Sequence, residues 1–225
     1  MKTAKSNSRR QFLGALALGA TASTLSVLTN PIYANIPMDD TKKLSEAEAW
    51  FKNIKGTHRI VYDGSKPHHG FPIIWNWAYY LSNNSMGVLD KEMTAVTVLR
   101  HDAIPLAMED KLWQKYSFGD MFKVNMSSGN AYTRNPYYAP QEGDFPMAQI
   151  EGIKRLQERG ALFCVCDLAI QVYSGAAAIK MGLDPKETYQ EWVNGVLPGI
   201  QLVPSGVWAL GRAQENGCGY IFAGE

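Results

Sequence analysis

Five short β-type runs alternate with helix-patterned segments along this chain, and that rhythm limits its fold more than any other feature. The runs are His58–Asp63, Thr94–Leu99, Ala161–Cys166, Ile200–Val203 and Gly219–Phe222. Helical spacing is expected over 44–54, 71–86, 103–116, 145–158, 168–181, 185–196 and 206–216. Ile74, Trp77, Ala78 and Leu81, for example, share one face of the second of these. Pro105 fits the first turn of the 103–116 helix. Asp144 is placed to cap the 145–158 helix and Gly160 to stop it. Strands separated by helices need crossover connections, which give a parallel sheet with helices on both faces. The expected class is α/β, a flavodoxin-like three-layer sandwich with a mostly parallel five-stranded sheet. One stretch, 120–143, breaks the rhythm: Asn, Ser, Gly and Pro crowd it together with Tyr132, Tyr137 and Tyr138. A structureless insertion of this length inside a domain usually carries a function or moves.

In an open parallel sheet the ligand crevice lies beyond the carboxyl ends of the strands. Here those ends are Asp63-Gly64, Arg100-His101-Asp102, Cys166-Asp167 and Pro204-Ser205-Gly206. Cys166 is the candidate reactive group, because amides and dipole at a helix N-terminus lower a thiol's pKa. Asp167 acts in the opposite sense, or caps the helix. The alternative is a small buried packing residue, the commonest fate of a free cysteine. Asp63, Arg100, His101, Ser205 and Cys164 are candidate ligand-binding residues around it. His101 suits acid–base or anion contact, with an ordinary cap arrangement as the other reading. Cys164 and Cys166 point to one face of a strand with α-carbons about 6.6 Å apart, so a bridge between them requires the strand to bend. Cys218 precedes the last strand and is not expected to meet Cys166. His68 and His69 are weak metal candidates, because no H-x-x-x-H or paired C-x-x-C supplies further ligands. Trp75, Trp77, Tyr79 and Tyr80 read as helix core and interface residues. There is no phosphate-binding glycine fingerprint and no G-x-S-x-G elbow. No cofactor follows from the sequence, and whether the chain is an enzyme stays open.

The N-terminus carries a second signal. Ser8-Arg9-Arg10-Gln11-Phe12-Leu13 opens an uncharged stretch that ends at Pro31-Ile32-Tyr33-Ala34. A basic start, an apolar centre and a small terminal residue make residues 1–34 a twin-arginine export signal, cut after Ala34. The expected destination is the periplasm, with no stable membrane insertion after cleavage. Residues 35–56 form an entry segment and 57–225 the domain. The whole chain has 22 basic and 21 acidic residues; Lys2, Lys5, Arg9 and Arg10 leave with the signal, so its formal charge falls from +1 to −3. An acidic balance argues against a nucleic-acid surface, which needs clustered Lys and Arg.

The segments Gly160–Ala169, Gly195–Val207, Leu99–Ala107 and Gly211–Glu215 together resemble the DsrE/DsrF-like (YchN-like) family, especially its exported twin-arginine members of unknown function. The resemblance runs from about residue 58 to the end. It implies a flavodoxin-like sandwich assembling as a trimer or hexamer. In the sulfur-trafficking members a cysteine after the third main strand carries a persulfide, and Cys166 matches that position. Those members are cytoplasmic, whereas this chain carries an export signal, a tyrosine-rich insertion and a second thiol at Cys164. Two functions are therefore expected: binding or relay of sulfane sulfur through Cys166, or a non-enzymatic oligomeric module for a small ligand or metal. An accessory subunit of an exported redox complex is a third.

Overall fold

The computed structural model describes residues 40–224; the export signal expected over residues 1–34 lies outside them. The strands are β1 (His58–Gly64), β2 (Met93–Leu99), β3 (Leu162–Cys166), β4 (Ile200–Val203) and β5 (Gly219–Phe222). They form one all-parallel sheet in the order β4-β3-β2-β1-β5. The α/β three-layer sandwich expected from the alternation is the observed architecture.

The helices are α1 (Asp40–Phe51), α2 (Phe71–Ser85), α3 (Asp110–Tyr116), α4 (Phe118–Met121), α5 (Ile153–Glu158), α6 (Asp167–Met181), α7 (Pro185–Asn194) and α8 (Gly206–Glu215). From β1 to β4 the chain steps steadily across the sheet, then returns past β1 to lay down β5. Right-handed crossovers put the helices of the outward steps on one face and the helix of the return step on the other. Accordingly α2 packs on one side, where Asn76 donates to Thr97 (3.0 Å). On the other side α1 and α8 enclose Val61, Val96, Val98, Cys164 and Val203. β2, central in the order, is buried at every residue from Met93 to Leu99, as a strand covered on both faces must be.

Two expected helices are shorter than their spacing suggests. Over 103–116 the chain instead forms a 3-10 segment, His101–Ala107, with Pro105 inside it, and α3 begins only at Asp110. Proline has no amide to donate and disfavours the α conformation just before it. The carbonyls left over are taken by side chains: Trp113 Nε1 donates to Pro105 (3.1 Å), and Asn135 Nδ2 to Leu106 and Met108 (both 2.9 Å). The 145–158 helix is likewise reduced to α5. Asp144 does not cap it; its carboxylate accepts from Arg134 (2.8 Å) and from the Gln141 amide (2.7 Å). Helix begins where Gly152 slides past the Tyr137 carbonyl, so closely that a Cβ there would sit 2.8 Å from that oxygen. Phe145 and Ile150 are buried all the same, so the irregular stretch packs as a folded covering, with Asn135 as its latch.

Candidate functional site

Cys166 closes β3 and is the N-cap residue of α6. Its sulfur accepts a hydrogen bond from the Ala169 amide at 3.3 Å. Next to β3, the end of β4 leads into α8, and the Gly206 amide at the start of α8 faces the same sulfur, as does the Leu168 amide. One thiol therefore lies where two helix N-termini meet, an arrangement that favours negative charge. Burial opposes it: Cys166 is 6% exposed. Burial is the largest influence and raises the thiol pKa; the amides of Gly206, Ala169 and Leu168 pull it down, while the Asp167 charge pushes it up.

Arg100, at the end of β2, supplies the positive charge. Nε and Nη2 make a fork to Asp63 Oδ1 and Oδ2 at 2.6 and 2.9 Å. Asp63 ends β1, is 2% exposed, and also accepts from the Tyr220 hydroxyl at 2.8 Å. Those Asp63 hydrogen bonds hold the Arg100 pKa above its usual value. The Arg100 side chain lies against Gly206, where a Cβ would come within 2.5 Å of the Arg100 Cβ. Glycine at this position lets α8 start close to both the arginine and the sulfur.

Of the residues expected at the strand ends, Asp63, Arg100 and Cys166 are thus brought together. Ser205 joins them as the half-buried N-cap residue of α8, its side chain making no capping bond. His101 belongs to a neighbouring cluster: its Nδ1 lies 3.2 Å from Asp102 Oδ1 and 3.5 Å from the Tyr173 hydroxyl, which donates to Asp102. His101 adopts a left-handed backbone, φ 51°, unusual for a residue with a Cβ. Burial, followed by the Asp102 hydrogen bond, raises the Tyr173 pKa. Cys164 is fully buried against α1 and α8, and burial drives its thiol pKa far up. Cys218 joins the same apolar cluster, its pKa pushed up to about 11. All three cysteines are free thiols.

His68 and His69 lie in a turn before α2; His68 Nδ1 is 3.3 Å from the Ala223 carbonyl, and the two rings stand 6.4 Å apart. Among the described residues no group of three or more His, Cys, Asp or Glu side chains lies together as a metal site. Asp167 neither caps α6 nor faces solvent; its carboxylate accepts from Tyr189 (2.7 Å) and Gln171 (3.2 Å). Tyr220 is the member that sequence reasoning missed. It reaches Asp63 because β5 returns to the side of β1, and strand order is not written in local patterning.

No family model and no curated protein matches the chain. The chain is similar to the solved structure of MTH1491, a protein of unknown function from Methanobacterium thermoautotrophicum, at 17% identity over 74% of this chain and 99% of that one, with a TM-score of 0.38.

Proposed function

We propose that this chain is an exported carrier that takes up sulfane sulfur on Cys166 as a persulfide. The observation that carries the proposal is the Cys166 sulfur at the junction of the α6 and α8 N-termini, with Arg100 packed against Gly206 at the start of α8. A persulfide is more acidic than its parent thiol and holds its charge on the outer sulfur, which amides and a guanidinium stabilise. Loading is thiol–disulfide-type exchange. The Cys166 thiolate attacks the outer sulfur of a donor persulfide, a new S–S bond forms, the donor's S–S bond breaks, and the proton goes to the departing donor thiolate. No net oxidation occurs. The same balance run in reverse delivers the sulfur to an acceptor thiol. The DsrE/DsrF-like resemblance and the twin-arginine segment support the same reading, with the periplasm as its place of action.

One observation favours a second reading, an oligomeric binding module. Cys166 is nearly as buried as the core residues, and burial is the largest influence on its thiol. In that case the Arg100–Ser205 neighbourhood holds a small anion and the cysteine is packing. The two readings part on Cys166→Ser. Mass spectrometry of the intact protein after exposure to a sulfane-sulfur donor shows added sulfur that this variant lacks if Cys166 is the carrier. A module of the second kind gains no sulfur, and its ligand affinity survives the substitution.

A further inference from the structure

We propose that β5 is the surface through which two copies of this chain pair, antiparallel and edge to edge about a twofold axis centred on Ile221. Among the described residues β5 ends the sheet and breaks the rule that parallel strands are covered on both faces. Tyr220, Ile221 and Phe222 are 46%, 40% and 43% exposed, and no residue of the strand is buried. Edge strands that stay single are kept very short, covered, or blunted by Lys, Pro or a bulge; β5 is short, at four residues, but carries none of the side-chain devices. From Gly219 to Gly224 this one has no charge and no proline.

The register follows from the ladder. The Ala223 amide donates to Asp63 of β1 (2.9 Å), and peptide groups along a strand alternate in direction. Those of Ile221 therefore face β1, while those of Tyr220 and Phe222 project off the edge. Antiparallel pairing about Ile221 sets Tyr220 of one copy opposite Phe222 of the other, so every projecting N–H and C=O finds a partner. The self-pairing registers centred on Tyr220 or Phe222 need Cys218 or Gly224, both outside the strand, to complete the ladder. The side chains match as well. Tyr220 shares the α8 side with Val61, its register neighbour, and Ile221 shares the α2 side with Tyr62. Pairing thus stacks Tyr220 on the partner's Phe222 twice over on one face, a stabilising cross-strand aromatic pair. On the other face Ile221 meets the partner's Ile221, flanked by Trp75, whose ring lies 6.5 Å from Tyr62. A peptide strand from another protein would satisfy the edge groups but has no reason to match these side chains twice.

The surface borders the site, since the Tyr220 hydroxyl is bonded to Asp63; a partner's Phe222 then forms part of the wall beside the Asp63–Arg100 pair. The inference does not depend on sulfur chemistry, because assembly is read by mass. Of a trimer and a hexamer, only the hexamer contains such an axis.

Sedimentation equilibrium of the purified protein, whole or as processed by the host, tests this. A dimer or another even-numbered assembly is expected, and Phe222→Lys, at a position already partly in solvent, halves its mass with the circular dichroism spectrum unchanged. Ile221→Cys gives a second readout that does not depend on tolerance of the lysine. Opposed α-carbons at this kind of antiparallel position are about 4.5 Å apart, within disulfide range, so mild oxidation links two copies through residue 221. A monomer at every concentration, an odd-numbered assembly, an assembly unmoved by Phe222→Lys, or an Ile221→Cys protein that never cross-links would overturn the proposal.

Discussion

At the residue scale, two opposed influences act on Cys166, and pH separates them. Because burial outweighs the amides, the thiol's folded-state pKa lies above its ordinary value of 9.0. Alkylation of Cys166 should therefore keep accelerating through pH 9; a plateau below pH 8 would mean that the helix amides prevail. The same sign holds for stability. A thiol whose pKa is raised in the fold favours folding while protonated, so its contribution is complete below the unfolded-state value and declines as pH rises past it. Cys164 and Cys218 are raised as well, so urea midpoints should fall above about pH 9. Arg100→Gln leaves the Asp63 carboxylate buried without its cation. The expected loss is about 1–3 kcal/mol in urea unfolding, less than for a fully enclosed pair because Arg100 meets solvent. Tyr220→Phe removes one donor from the same carboxylate and should cost about 1 kcal/mol.

At the scale of elements, the start of α8 is the part that the site depends on most. Gly206→Ala puts a Cβ 2.5 Å from the Arg100 Cβ, which no arginine rotamer can move aside, so the start of α8 or the end of β2 must shift. Sulfur loading and the thermal midpoint should both drop, and equal loading in the folded variant would show that the α8 amide is dispensable. Asn135→Ala should cost about 2–3 kcal/mol in urea unfolding, because the Leu106 and Met108 carbonyls lose their donor inside the protein. The strands were readable in the sequence because runs such as Thr94–Leu99 are β-branched or apolar with no charge, as a strand covered on both faces requires. The strand ends followed from them, and with them Asp63, Arg100, Cys166 and Ser205. Helix spacing misled wherever proline or a close backbone passage intervened, as at Pro105 and Gly152. Tyr220 could not be foreseen, because its meeting with Asp63 depends on which neighbour β5 chooses.

On the scale of the whole molecule, the proposed export segment precedes a domain whose site is assembled from the ends of β1, β2 and β3, the start of α8, and the edge strand β5. Replacing Arg9 and Arg10 together by Lys should leave the chain in the cytoplasm with residues 1–34 uncut, measured by cell fractionation and intact mass; normal export would remove the twin-arginine assignment. The central claim is that Cys166 carries sulfur, and non-reducing intact-mass spectrometry before and after incubation with a sulfane-sulfur donor tests it most directly. The account predicts a gain of whole sulfur atoms in the native protein, reversed by a thiol reductant and absent in Cys166→Ser. No gain in a folded protein with Cys166 free, or an equal gain in Cys166→Ser, would contradict it.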